Sequence, residues 1–259
     1  MDYIPVVDLS DFISGTPERK RSFVKALGDA YHETGFVTVK NHGISDKMIE
    51  ELYREVKAFF SLPDDIKFKY EKPELAGQRG YTSFGREHAK GSKVADLKEF
   101  FQFGQMVTDE DPIRKEYPDN VWVSELPGFN EVNINAYRSF EIAGGHLMRA
   151  IAVYLDLPEN YFEKKIHNGN SILRAIHYPP ISGDPKSALR AEQHEDINLI
   201  TLLVGASAEG LEIFTRKEEW VPVTAMPGQI VVNVGDMLQR LTNDRLKSTT
   251  HRVVNPPKE

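Results

Sequence analysis

Two places in the chain carry residues that could do chemistry. In AEQHEDINLITLLV (191–204), His194, Glu195 and Asp196 stand directly ahead of an apolar run, and far downstream LKSTTHRVVNPP carries His251. Side chains alternate across a strand, so a strand through 194–196 sends His194 and Asp196 to one face and Glu195 to the other. A longer imidazole and a shorter carboxylate at that spacing converge on one cation. Taken alone, the tripeptide reads more simply as a hydrogen-bonded pair at a strand end.

His251 changes that balance. Thr249, His251 and Val253 share one face of a strand-like run, so the imidazole is expected to face inward. Two imidazoles and one carboxylate on one side of a metal leave the opposite positions open, the facial arrangement suited to Fe(II) and dioxygen. Zn accepts the same ligands, so the residues alone do not name the metal. With no Cys in the chain, thiolate-rich zinc sites, iron–sulfur sites and disulfides are excluded.

Holding these groups together takes a scaffold, and the chain reads as helices first and strands afterwards. IPVVDL (4–9) is a short strand, and Thr16-Pro17-Glu18 opens a helix running to about Glu33. GFVTVKNHGI (35–44) is β-rich and closes on a His-Gly turn that His42 is expected to hold. Ser45 caps a second helix through Phe60, with Ile49, Leu52, Val56 and Phe59 at helical spacing. Residues 72–95 read as a loop, and 96–105 as an alternating strand. The longest helical stretch, 131–155, is weakened at its centre by Gly144-Gly145. From Ser171 onward SILRAIHY, INLITLLV, LEIF, EWVPV, GQIVVNVG and STTHRVV follow one another as strands. The fold class is therefore α+β, with a sandwich or jelly roll in the second half, where distant strands become neighbours.

Length, charge and composition exclude whole classes of function. At 259 residues, with 40% hydrophobic and 27% charged residues, the chain suits an ordinary soluble globular protein with a sizeable core. A net charge of −7 without a basic block speaks against a nucleic-acid partner. No apolar stretch is long enough to span a membrane, and the N-terminal MDYIPVVDLSDF lacks the pattern of a secretory signal, so a cytoplasmic location is expected.

Several stretches, in order, resemble the isopenicillin N synthase-like family of Fe(II)/2-oxoglutarate dioxygenases. They are IPVVDLS, GFVTVKNHGI, GYTSFGREHAKG with DLKEFFQFG, LRAIHYPP, HEDINLITLLV, and VVNVGDMLQRLTNDRLKSTTHRVVNPP. The resemblance implies a double-stranded β-helix (jelly-roll) core in 166–259, with a helical and mixed N-terminal region, 1–165, packed around it. It implies Fe(II) held by His194, Asp196 and His251, with 2-oxoglutarate and O2 as co-substrates. The reaction it implies couples oxidative decarboxylation of 2-oxoglutarate to hydroxylation, desaturation or cyclisation of a small-molecule substrate.

Tyr178, in the Tyr-Pro-Pro stretch, matches the family's tyrosine that hydrogen-bonds the co-substrate, while Ile176 stands where the family usually has Asn. Arg174 reaches an acidic group of substrate or co-substrate, or makes a salt bridge on the rim. Thr201 is expected near the iron or in the core. Tyr81, Phe101 and Phe103, with Gln239 and Leu241, come from segments that border the substrate pocket in similar enzymes; alternating aromatics also build cores. The family's Arg-x-Ser, which grips the distal carboxylate of 2-oxoglutarate, would fall just past Glu259, so a further C-terminal segment is expected. Oxidases of the same family that use no 2-oxo acid, and a binding protein that keeps the fold without the reaction, share these motifs.

Overall fold

Thr16 and Ser45 start their helices as their positions predict: Thr16 Oγ1 accepts the amide of Arg19 at 3.4 Å, and Ser45 Oγ that of Met48 at 3.2 Å. The computed structural model describes residues 4–88, 94–181, 185, 187–204 and 210–256. The first half comprises β1 (Val6–Asp8), α1 (Leu9–Ile13), α2 (Pro17–Glu33), β2 (Phe36–Lys40), α3 (Asp46–Phe60), α4 (Asp64–Lys67), β3 (Gly80–Thr82), β4 (Glu99–Gly104) and α5 (Pro127–Tyr154). The second comprises α6 (Glu163–Ile166), β5 (Ile172–His177), β6 (Ala191–His194), β7 (Ile200–Val204), β8 (Leu211–Phe214), β9 (Trp220–Pro222), β10 (Gln229–Val234), α7 (Asp236–Leu241) and β11 (His251–Val253). Among the described residues, no helix is long and apolar enough to cross a membrane.

The chain forms two compact units from discontinuous segments. One comprises Met1–Ile44, Phe140–Lys165 and Glu192–Glu259; the other comprises Ser45–Ser139 and Ile166–Ala191. The first unit holds the jelly roll, made of two four-stranded sheets in the orders β1-β2-β10-β7 and β6-β11-β8-β9. Strands β1 and β2, from the N-terminal segment, thus complete a sheet with β10 and β7; the antiparallel register pairs Val37 with Val232. Phe36, Val231, Leu211, Ile213 and Val223 fill the space between the two sheets, with partly buried Val253 packed against them.

The second unit is a three-stranded sheet, β3-β4-β5, under an aromatic core of Phe59, Phe60, Tyr70, Tyr81, Phe101, Phe103 and Phe129. Stacked and edge-on ring pairs hold it, such as Phe59 on Phe129 at 4.8 Å and Phe101 against Phe129 at 5.2 Å.

Four local expectations are corrected. Residues 72–95 are not all loop, because β3 pairs with the buried β4; residues 89–93 lie outside the described ones. Strand β4 does not alternate: all its residues are buried, since it is the central strand of its sheet. The apolar run after Asp196 is not a strand from Ile197, which is 79% exposed; β7 begins at Ile200. Leu9, read as the end of a strand, opens the short helix α1, and a short helix α7 follows Gly235, whereas α5 runs unbroken through Gly144-Gly145.

Candidate metal centre

His194 is the last residue of β6 and His251 the first of β11, on neighbouring strands of one sheet, so their rings meet at a centroid distance of 4.4 Å. Asp196 belongs to neither strand. It sits in the turn after β6, and its Oδ1 lies 3.8 Å from both His194 Nε2 and His251 Nε2. One donor atom from each residue falls within 4.8 Å of the others, as a single metal ion requires. The convergence anticipated from strand alternation is real, but a turn produces it.

The turn is clamped from below. Asp236 N donates to Asp196 O at 2.7 Å, Gly235 N to Leu199 O at 2.9 Å and Met237 N to Asn198 O at 3.2 Å. A Cβ on Gly235 would run into Asn198 O and stand 2.8 Å from Asp196 O, so the close approach requires glycine. The Gly-Asp-Met stretch is thus the seat of the Asp196 turn, and its backbone takes the bonds a strand at 197–199 would have made.

The chemistry of the donors fits a divalent cation. His194 Nδ1 donates to Glu192 O at 2.7 Å and His251 Nδ1 to Thr249 O at 3.0 Å, which fixes both tautomers and leaves each Nε2 lone pair turned to the centre. His251 is buried against the Phe36 ring at 5.5 Å. Burial lowers its pKa, the neighbouring His194 lowers it further, and the ring stays neutral. At Asp196, burial alone would raise the carboxyl. His251, hydrogen bonds from Asn233 and Thr201, and His194 outweigh that and hold it below its ordinary value. A neutral His251 beside an ionised Asp196 suits the binding of a metal ion.

The second oxygen of Asp196 is already committed. Asn233 Nδ2 donates to Oδ2 at 2.8 Å, Thr201 Oγ1 also donates to Oδ2, and Asn198 Nδ2 donates to Thr201 Oγ1 at 2.8 Å. Only Oδ1 faces the histidines. Thr201 therefore acts on the carboxylate. Asn233 and Asn198 were missed from sequence, although an Asn inside the apolar run GQIVVNVG was a usable signal: a buried amide needs a partner.

Glu195, just past the end of β6, accepts from Thr250 Oγ1, tying that end to the start of β11. Gln239 lies on α7 with its Oε1 accepting Ser248 N at 2.7 Å, so it holds the segment leading to His251; Leu241 is 55% exposed on the same helix.

In the second unit Tyr178 follows β5. Burial pushes its hydroxyl up to about 12, with Asp96 the next cause, so it is a neutral donor. Arg174 is paired with Glu87 at 3.1 Å and donates to Gln102 at 2.8 Å. Tyr81, Phe101 and Phe103 are buried, at most 4% exposed, in the aromatic core of the second unit. His42 holds its turn as expected, its Nδ1 accepting Ile44 N at 3.2 Å.

Known proteins share this arrangement over nearly the whole chain. Residues 4–125 match the family described as the non-haem dioxygenase in morphine synthesis N-terminal, and residues 169–259 match the 2OG-Fe(II) oxygenase superfamily. The proline hydroxylase buaE of Petromyces alliaceus is 37% identical over 262 residues, 96% of this chain and 80% of that protein. The chain belongs to the 2OG-Fe(II) oxygenase superfamily. A 2OG-Fe(II) oxygenase family protein of Caulobacter crescentus superposes with a TM-score of 0.89 at 40% identity, over 99% of this chain and 82% of that one. A full-length Neurospora crassa protein, solved in complex with alpha-KG, gives 0.88 at 32% identity, over 99% and 80%. This 2OG-Fe(II) oxygenase is an Fe(II)- and 2-oxoglutarate-dependent dioxygenase with a jelly-roll core; it couples oxidative decarboxylation of 2-oxoglutarate to oxidation of a small organic substrate.

Proposed function

We propose that His194, Asp196 and His251 are the Fe(II) ligands of this dioxygenase, that Tyr178 donates to the co-substrate, and that the outcome on the prime substrate is hydroxylation. The observation that carries the reading is the triad: three donor atoms within 4.8 Å, with both Nδ1 atoms engaged elsewhere. Iron bound there supplies the oxygen chemistry; the protein supplies placement and shielding. Asp196 offers a single oxygen because Asn233 and Thr201 hold the other, so the three residues would hold the metal through one donor atom each and would leave it room for co-substrates. Both histidines have their Nδ1 atoms engaged with backbone carbonyls, so each presents its Nε2 to the centre. Hydroxylation is favoured by the name of one similar protein, the proline hydroxylase buaE.

His194→Ala should abolish Fe(II)-dependent succinate release from 2-oxoglutarate and lose most metal affinity in anaerobic titration. Unchanged metal stoichiometry in that variant would remove His194 from the ligand set.

A further inference from the structure

The first unit holds a second concave site, a cleft of about 360 Å³ between the end of α2, the end of β8 and the segment 247–250 that leads into β11. His194, Asp196 and His251 are not among the residues that line it. Its walls are braced by their own backbone. Lys247 N donates to Tyr31 O at 3.0 Å, Ser248 N to Gln239 Oε1 at 2.7 Å and Phe214 N to Thr250 O at 2.8 Å.

The lining carries a surplus of donors. Lys247 Nζ makes no hydrogen bond or ion pair among the described residues, and Arg216 spends only an Nη2 bond, on His32 O in the last turn of α2. Ser248 Oγ is buried without a partner. Thr215 is buried too, and its Oγ1 accepts from Lys217 N at 3.2 Å and Glu219 N at 3.4 Å, which leaves its proton to donate. The hydroxyls of Thr249 and Thr250, by contrast, already donate, to Thr34 O and to Glu195. Two cations thus face one carboxylate, Glu33, which pairs with neither among the described residues.

A cation placed only to neutralise the negative end of α2 accounts for Arg216, but not for Lys247 or the two hydroxyls. A buried hydroxyl without an acceptor is costly, so these donors suit a ligand that only accepts. An oxyanion does so at every oxygen, and takes charge-assisted bonds from both cations. The cleft has room for more than the oxyanion, since pockets for small organic molecules begin at roughly 300 Å³. Phe214, exposed at the wall and 5.1 Å from the Trp220 ring, offers an apolar face to the remainder.

We infer that this cleft is a binding site for a small organic anion, held through its carboxylate or phosphate group by Lys247, Arg216, Ser248 and Thr215, with its apolar part against Phe214. The site is separate from the metal centre.

Benzoate and phenyl phosphate present the two oxyanions on one ring, and benzamide is the uncharged counterpart. Each is titrated calorimetrically into the Fe(II)-loaded protein, anaerobically and with saturating 2-oxoglutarate, so that the metal centre is occupied. Saturable binding of benzoate or phenyl phosphate is expected, with none of benzamide, and the tighter of the two anions names the group. Lys247→Gln and Ser248→Ala should each weaken it roughly tenfold or more, while Lys247→Arg keeps it. The site is overturned if neither anion binds, if benzamide binds as tightly as they do, or if both Lys247→Gln and Ser248→Ala bind as wild type does. Thermal unfolding of the variants, with binding kept in Lys247→Arg, separates loss of the ligand from loss of the fold.

Discussion

Asn233 Nδ2 donates to Asp196 Oδ2 at 2.8 Å, from the middle of a buried strand to a turn that reaches the same place from the other side of the sheet order. The bond decides which carboxylate oxygen is available. Thr201→Val, which removes the companion hydroxyl without changing side-chain shape, should weaken Fe(II) or Co(II) affinity roughly ten- to a hundredfold, the usual cost of losing a group that orients a ligand. Asn233→Leu should do the same. Thr201→Ser should bind metal as wild type does. Metal titration checks all three, and a loss in Thr201→Ser equal to that in Thr201→Val would show that the hydroxyl is not the cause.

Gly235→Ala tests the seat of the Asp196 turn. The added Cβ meets two backbone oxygens and Asn198 Oδ1 at 2.8 Å or less, and backbone cannot step aside as a flexible side chain does. The expected outcome is a large loss of metal affinity with far-UV circular dichroism unchanged, because the two sheets do not depend on the turn. Normal metal binding would mean that the turn tolerates displacement.

A dependence on pH is carried by Glu99. Its carboxylate accepts from Lys67 Nζ at 2.9 Å, from His177 Nδ1 at 2.7 Å and from the Tyr81 hydroxyl, all in the second unit. Burial alone would raise its pKa; the bonds from His177, Tyr81 and Lys67 reverse that and hold it at about 2, against an ordinary 4.5. A folded pKa below the unfolded one gives stability that is present above pH 4.5 and lost as the pH falls from there towards 2. Its size is about 3 kcal/mol. Urea unfolding of wild type should lose roughly this much over that window. Glu99→Gln should be destabilised at neutral pH, where it leaves the buried Lys67 ammonium only the exposed Asp64 as a carboxylate partner, and should show a flatter acid dependence. An equally steep dependence in the variant would assign the acid sensitivity to other carboxylates.

The sequence by itself determined what is local. Thr16 and Ser45 cap their helices within three residues of chain, and the strand runs after Ser171 carry their turns beside them, so these elements fall where the pattern puts them. That His194, Asp196 and His251 could share one metal ion was legible too, because donor chemistry belongs to the residue types. Tertiary structure alone decided how they meet. Strand alternation cannot say that β6 stops at His194, since that end is set by backbone bonds from Gly235–Met237, some forty residues away in sequence. Nor does a run such as GQIVVNVG reveal which partner its Asn finds, or that β2 lies beside it: pairing between distant strands follows from burial of faces, which no local pattern specifies. The same holds for Arg174 and Arg190. Both are arginines in similar company by sequence, and only the cross-strand register sets Arg174 opposite Gln102, with Glu87 in reach, whereas Arg190 has no ion-pair partner among the described residues.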